Sequence, residues 1–100
     1  MGDERRAYPR MLAEWRILLV FDNREVATNL RNFSEGGAYL RIKDEDAGKI
    51  ASTDVGQQCF LRIEQADALV SHHGQISRYI EESGSTYVAV AFTRRPKALL

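Results

Sequence analysis

At 100 residues the chain has the length of one small domain, with room for a single modest core and not for an active-site domain beside a regulatory one. Fourteen basic and fourteen acidic side chains cancel, so no global field draws it to a nucleic-acid polymer or an anionic membrane, and any polyanion site must be local. The sole cysteine, Cys59, cannot form an internal disulfide, no Cys/His spacing suggests zinc, and the longest apolar run, Ile17 to Phe21, is too short to cross a bilayer. A protein without membrane insertion, in a reducing cytoplasm, is expected.

Residues 1–12 are polar and contain Pro9, which lacks an N–H and biases Tyr8 towards an extended backbone, so they read as an arm. Ala13 to Asp22 alternates with period two and is apolar on both faces, which predicts a well-buried first strand. Asn23 and Arg24 make a short turn, after which Glu25 to Phe33 sets Val26, Thr28 and Leu30 against Ala27, Asn29 and Arg31. Ser34-Glu35-Gly36-Gly37 marks a second turn, and Ala38, Leu40 and Ile42 share one face of a third strand. From Asp44 to Ser52 the acidic start suits a helical turn, but Gly48 and the short length allow at most a brief helix or loop.

Gln57 to Glu64 alternates as a fourth strand. Gly74 to Glu82 and Ser85 to Thr93, split by Ser83-Gly84, form a final hairpin with Ile76, Ile80, Val88, Val90 and Phe92 as core candidates. Six short strands and almost no helical periodicity predict an all-β fold, a small antiparallel barrel that closes its sheet over residues 13–93. Residues 94–100 remain as a C-terminal tail or the start of a short helix. Trp15, Phe21, Phe60 and Phe92 are read as core, and Tyr39 and Tyr79 are left unassigned.

Of fourteen basic residues eleven are arginine, whose planar fork pairs with phosphate or a guanine edge and whose flat face stacks on a purine. Two clusters stand out: Arg5-Arg6-Ala7-Tyr8-Pro9-Arg10 in the arm and Asn32-Phe33-Ser34-Glu35-Gly36-Gly37 between the second and third strands. Arg6 and Arg10 make an R-x-x-x-R pattern, and Asn32, Ser34 and Gly37 a [D/N]-x-S-x-x-G pattern. The first alone is nearly worthless in an Arg-rich chain, and the pair in this order is far more specific. Together they resemble the PilZ family, and the likeness continues through Gly74-Gln75-Ile76-Ser77-Arg78 and Tyr87-Val88-Ala89-Val90-Ala91-Phe92, covering about residues 4 to 93. Ala89 departs from it, since the family often has glycine there.

The resemblance implies a bacterial receptor for cyclic di-GMP without catalytic activity or cofactor, which changes conformation on binding and signals to a partner protein. It assigns ligand contacts to Arg5, Arg6, Arg10, Asn32, Ser34, Gly36 and Gly37, with Arg6 and Arg10 gripping guanine and phosphate as the arm orders over the ligand, and Arg5 associated with an intercalated ligand dimer. Short Asn and Ser side chains suit the reading of a base edge because little entropy is lost on fixing them. The alternative is a PilZ-like adaptor that has lost the nucleotide and acts by protein contact alone; damaged motifs would favour it, and here both are intact.

The remaining polar features have plainer readings. His72-His73 are taken as loop histidines rather than a metal pair, because neighbouring strand residues point to opposite faces. Asp44-Glu45-Asp46 lacks the spacing of a calcium loop and reads as a solvated turn. Asn32 replaces the first glycine of a G-x-S-x-G elbow, so Ser34 is not a nucleophile by that pattern. A single-stranded nucleic-acid barrel would want exposed aromatics beside Arg, and zero net charge places it third.

Overall fold

The computed structural model describes residues 16–64 and 69–93. Arg5, Arg6, Arg10, Trp15 and the tail 94–100 lie outside the described residues. The elements are β1 (Arg16–Phe21), β2 (Arg24–Phe33), β3 (Gly37–Ile42), two short 3₁₀ turns (Asp44–Lys49 and Ser52–Asp54), β4 (Gln58–Glu64), β5 (Leu69–Glu82) and β6 (Ser85–Phe92). They form the expected six-stranded antiparallel barrel, closed in the order β1-β2-β3-β6-β5-β4. Each of the six strands therefore has two hydrogen-bonded neighbours, and among the described residues the sheet has no free edge strand.

Both hairpins are built by their turn residues. Asp22 and Asn23 take φ of 51° and 62°, and Ser83 and Gly84 take 54° and 80°. Two successive positive-φ residues are what a two-residue turn needs to match the twist of the strands it joins. The first turn is thus Asp22-Asn23 rather than Asn23-Arg24. Arg24 already belongs to β2, and its guanidinium donates to the Asp22 carboxylate at 2.8 Å and to the Lys49 carbonyl at 2.7 Å.

The interior is filled by alternate residues from all six strands: Ile17, Leu19 and Phe21, Val26, Ala38, Leu40 and Ile42, Cys59, Leu61 and Ile63, Ile76, and Val88 and Val90, with Ile50 from the connection. Full burial of each large aliphatic is worth roughly 1.5–3 kcal/mol, so this cluster drives closure. The connection that had offered only a brief helix or loop is pinned by carboxylates. Asp46 accepts the Ala27 N–H at 2.8 Å, and buried Asp54 accepts the Ala51 N–H at 2.9 Å and the Gln57 amide at 3.1 Å.

Four expectations are corrected. Phe60 is 42% exposed and points outward, because its strand neighbours Cys59 and Leu61 take the interior. Ile80 also faces outward, opposite Tyr87, while Tyr79 packs against the core opposite Val88. His72 and His73 lie in β5, which begins at Leu69 rather than Gly74. Their side chains still diverge: His73 meets Phe60 edge-on at 4.5 Å, and His72 stacks on Phe92 at 4.9 Å.

Candidate functional site

The turn between β2 and β3 is held from within and from the far side of the sheet. Ser34 N–H donates to the Gly37 carbonyl at 2.9 Å and Gly37 N–H returns to the Ser34 carbonyl at 3.4 Å. Inside that loop the Gly36 N–H donates to Ser34 Oγ at 3.3 Å, and the Gly36 carbonyl accepts the Phe92 N–H at 2.9 Å. The Ser34 hydroxyl thus has its acceptor side engaged. Its proton has only a long contact of 3.5 Å to the Gly37 carbonyl, which leaves it available as a donor to something outside.

Gly37 is demanded by close approach rather than by a left-handed backbone. It pairs with Ala91, and a Cβ built on it would fall on the Val90 carbonyl oxygen. Gly36 has open space where a Cβ would be, so its surface is accessible from outside.

Asn32 reaches the outer wall through an irregularity that alternation does not reveal. Strict alternation would put Asn32 on the inward face with Val26, Thr28 and Leu30. Instead the β2–β3 register passes from Leu30↔Leu40 to Asn32↔Tyr39, so Arg31 is an extra residue, a β-bulge. The bulge resets the phase: Asn32 stands outward beside Tyr39, and Phe33 falls opposite Ala38 while staying 42% exposed. There Phe33 contacts His72 and Phe92, each at 5.4 Å between ring centres, and this cluster backs the turn at one end of the barrel.

A second bulge mirrors the first across the sheet. The β5–β6 register passes from Ile76↔Val90 to Arg78↔Ala89, which makes Ser77 the extra residue and turns Arg78 out. Since Tyr39 pairs with Ala89, the two bulges flank one rung that reads Asn32, Tyr39, Ala89, Arg78 across β2, β3, β6 and β5. Bulges concentrate where a strand must re-aim a side chain, and here both aim polar groups at one outer surface. Gln75, opposite Ala91, and Gly37 complete the next rung towards the turn.

Of the seven residues assigned to ligand from the sequence, Asn32, Ser34, Gly36 and Gly37 come together on this wall. Arg5, Arg6 and Arg10 lie outside the described residues. Tyr39 and Arg78 were not among the seven. Tyr39 had an outward position but no recognised neighbour, and Arg78 falls between Ile76 and Ile80 on what alternation makes a core face. Among the described residues Asn32, Arg31 and Arg78 make no side-chain hydrogen bond or ion pair, and no three His, Cys, Asp or Glu side chains gather to hold a metal.

A closed barrel of six short strands fills its interior with side chains, so what it presents to a ligand is its outer wall and its turns. The fold defines a small closed antiparallel β-barrel domain. The chain matches the PilZ domain over residues 4–99, nearly its whole length, and it belongs to that family. PilZ domains form a family of cyclic di-GMP receptors and are typically non-catalytic. No curated protein matches the chain. No helix among the described residues is long and apolar enough to cross a membrane.

Proposed function

We propose that this domain binds cyclic di-GMP on the wall that carries Asn32, Ser34, Gly36 and Gly37, with Arg6 and Arg10 reaching the ligand from the arm and Arg5 contributing to a second, intercalated molecule. The observation that carries this reading is the β2–β3 turn itself. Its serine hydroxyl is oriented by the Gly36 N–H, its asparagine is turned outward by the Arg31 bulge, and Gly36 within the turn has open space beside its backbone. A guanine presents N7 and O6 as acceptors and N1–H and N2–H as donors. A carboxamide and a hydroxyl on short side chains can meet such an edge at small entropic cost. Two phosphates need cationic forks, and the two motif arginines supply them.

Binding would reshape the arm against the barrel, and the altered surface would engage or release a partner protein in the bacterial cytoplasm. No bond is made or broken. Calorimetric titration of the intact chain with cyclic di-GMP tests the reading, beside an Arg6→Ala/Arg10→Ala variant and a Ser34→Ala variant checked for fold by circular dichroism. Saturable binding that the double variant loses and Ser34→Ala weakens is the expected result, and two ligands per chain would support the role given to Arg5. An intact chain that shows no heat at high micromolar ligand would overturn the receptor reading in favour of an adaptor that works by protein contact.

A further inference from the structure

Tyr39 and Tyr87 project from the same wall as the β2–β3 turn and lie parallel, with ring centres 5.6 Å apart and planes 5° from coplanar. The register explains the pairing. Tyr39 is opposite Ala89 and Arg41 opposite Tyr87, so the two tyrosines are diagonal neighbours on β3 and β6, a spacing that aromatic side chains bridge. Tyr87 lies on the Arg41 side of Tyr39. On the side of Tyr39 nearer the turn, its neighbours on β3 and β6 are Gly37, Ala89 and Ala91, whose side chains are a hydrogen or a methyl and leave room beside the ring. Across Tyr39 on β2 is Asn32, and beyond Ala89 on β5 is Arg78.

From this arrangement we infer that Tyr39 is a base-stacking residue of the nucleotide site, with Tyr87 as the brace that fixes the plane of its ring. The inference rests on the cyclic di-GMP reading above and adds to it a residue outside the two motifs. A tyrosine stacked on one face has lost the freedom to swing, so the free face is presented without further entropic cost when a purine arrives. Asn32 stands on the same rung, opposite Tyr39 on β2, so a base stacked on the free face of the ring has a carboxamide close to its edge.

The experiment uses the full chain and cyclic di-GMP. Tyr39→Phe keeps the stacking face and is expected to bind within about twofold of the parent. Tyr39→Leu keeps an apolar strand residue but no ring, and is expected to lose about tenfold to hundredfold in affinity, the range that base–aromatic stacking contributes. In the complex of the unaltered protein, nuclear Overhauser contacts between the Tyr39 ring protons and guanine H8 report the stack directly, whatever the variants do to folding. Unchanged affinity in a folded Tyr39→Leu variant, or absence of those contacts in a saturated complex, would overturn the inference while the receptor reading stands. Failure of the intact chain to bind removes the receptor reading and this inference with it.

Discussion

Asn32 and Tyr39 stand opposite one another on the outer wall because Arg31 is one residue more than the β2–β3 ladder requires. The consequence extends to both neighbours of Asn32. Without that phase change Asn32 would point into the apolar interior, where an unpaired carboxamide costs several kcal/mol. With it, Phe33 anchors the turn against His72 and Phe92 while Asn32 and Ser34 stay on the surface. One extra residue thus decides which side chains of this segment pack and which face the outer wall.

The two adjacent glycines of the turn should respond differently to alanine. At Gly37 the added methyl meets the Val90 carbonyl oxygen, so β3 must move off β6, and a loss of about 1–3 kcal/mol is expected, in the range of overpacked sites. At Gly36 the methyl meets nothing within 4 Å, and Gly36→Ala should change stability by no more than about 1 kcal/mol, in the stabilising direction if at all. Urea unfolding of both variants followed by circular dichroism checks the contrast, and equal losses would contradict it.

Asp54 is buried, with 6% of its surface exposed, and gathers the Ala51 N–H, the Gln57 amide and, at 3.6 Å, the Arg24 guanidinium. Asp54→Ala leaves two part-buried donors without this acceptor and should cost about 1–2 kcal/mol. Asp54→Asn, which retains one acceptor oxygen, should cost less. Thermal melts of the two variants beside the parent give the order.

Asp46 carries a pH dependence whose sign is fixed by its partners. Its carboxylate accepts the Ala27 N–H and pairs with Lys49 at 3.3 Å, and these hold its pKa below the ordinary 3.8. A depressed folded pKa gives stability that is complete above the unfolded value and is lost as pH falls through the folded one. The urea midpoint of the parent should therefore exceed that of Asp46→Asn by a constant margin from neutral pH down to about pH 5. That margin should shrink once the pH passes below 3.8. A margin that grows on acidification would refute this.

The Cys59 thiol is buried among Leu61, Ile63 and the other interior residues, and burial pushes its pKa up to about 11. Only the thiolate attacks, so the folded protein should react with a disulfide reagent at neutral pH orders of magnitude more slowly than the urea-unfolded chain. Timed labelling followed by mass spectrometry measures both rates, and fast labelling of the folded form would contradict the placement of Cys59.

The sequence by itself determined the strand count, most strand limits and the inward residues of β3 and β6, because a period of two is a local property of each strand. It also contained the Asn32-Phe33-Ser34-Glu35-Gly36-Gly37 turn as a run of turn-forming residue types, although the need for glycine at 37 comes from β6 beside it. What it could not supply was phase. A bulge is defined only against a partner strand, so Arg31 and Ser77 look like ordinary alternating residues until β3 and β6 are beside them. Alternation alone therefore points Ile80 and Arg78 inward, and gives Tyr39 no neighbour on the outer wall. Leu69 to His73 went unread as strand because one of its inward positions is held by a histidine, His72, which is accommodated only because Phe33 and Phe92 arrive from other strands to flank it. The tertiary structure alone decided that Asn32, Tyr39, Ala89 and Arg78 form one rung, since residues from four strands acquire a common surface only through closure and register.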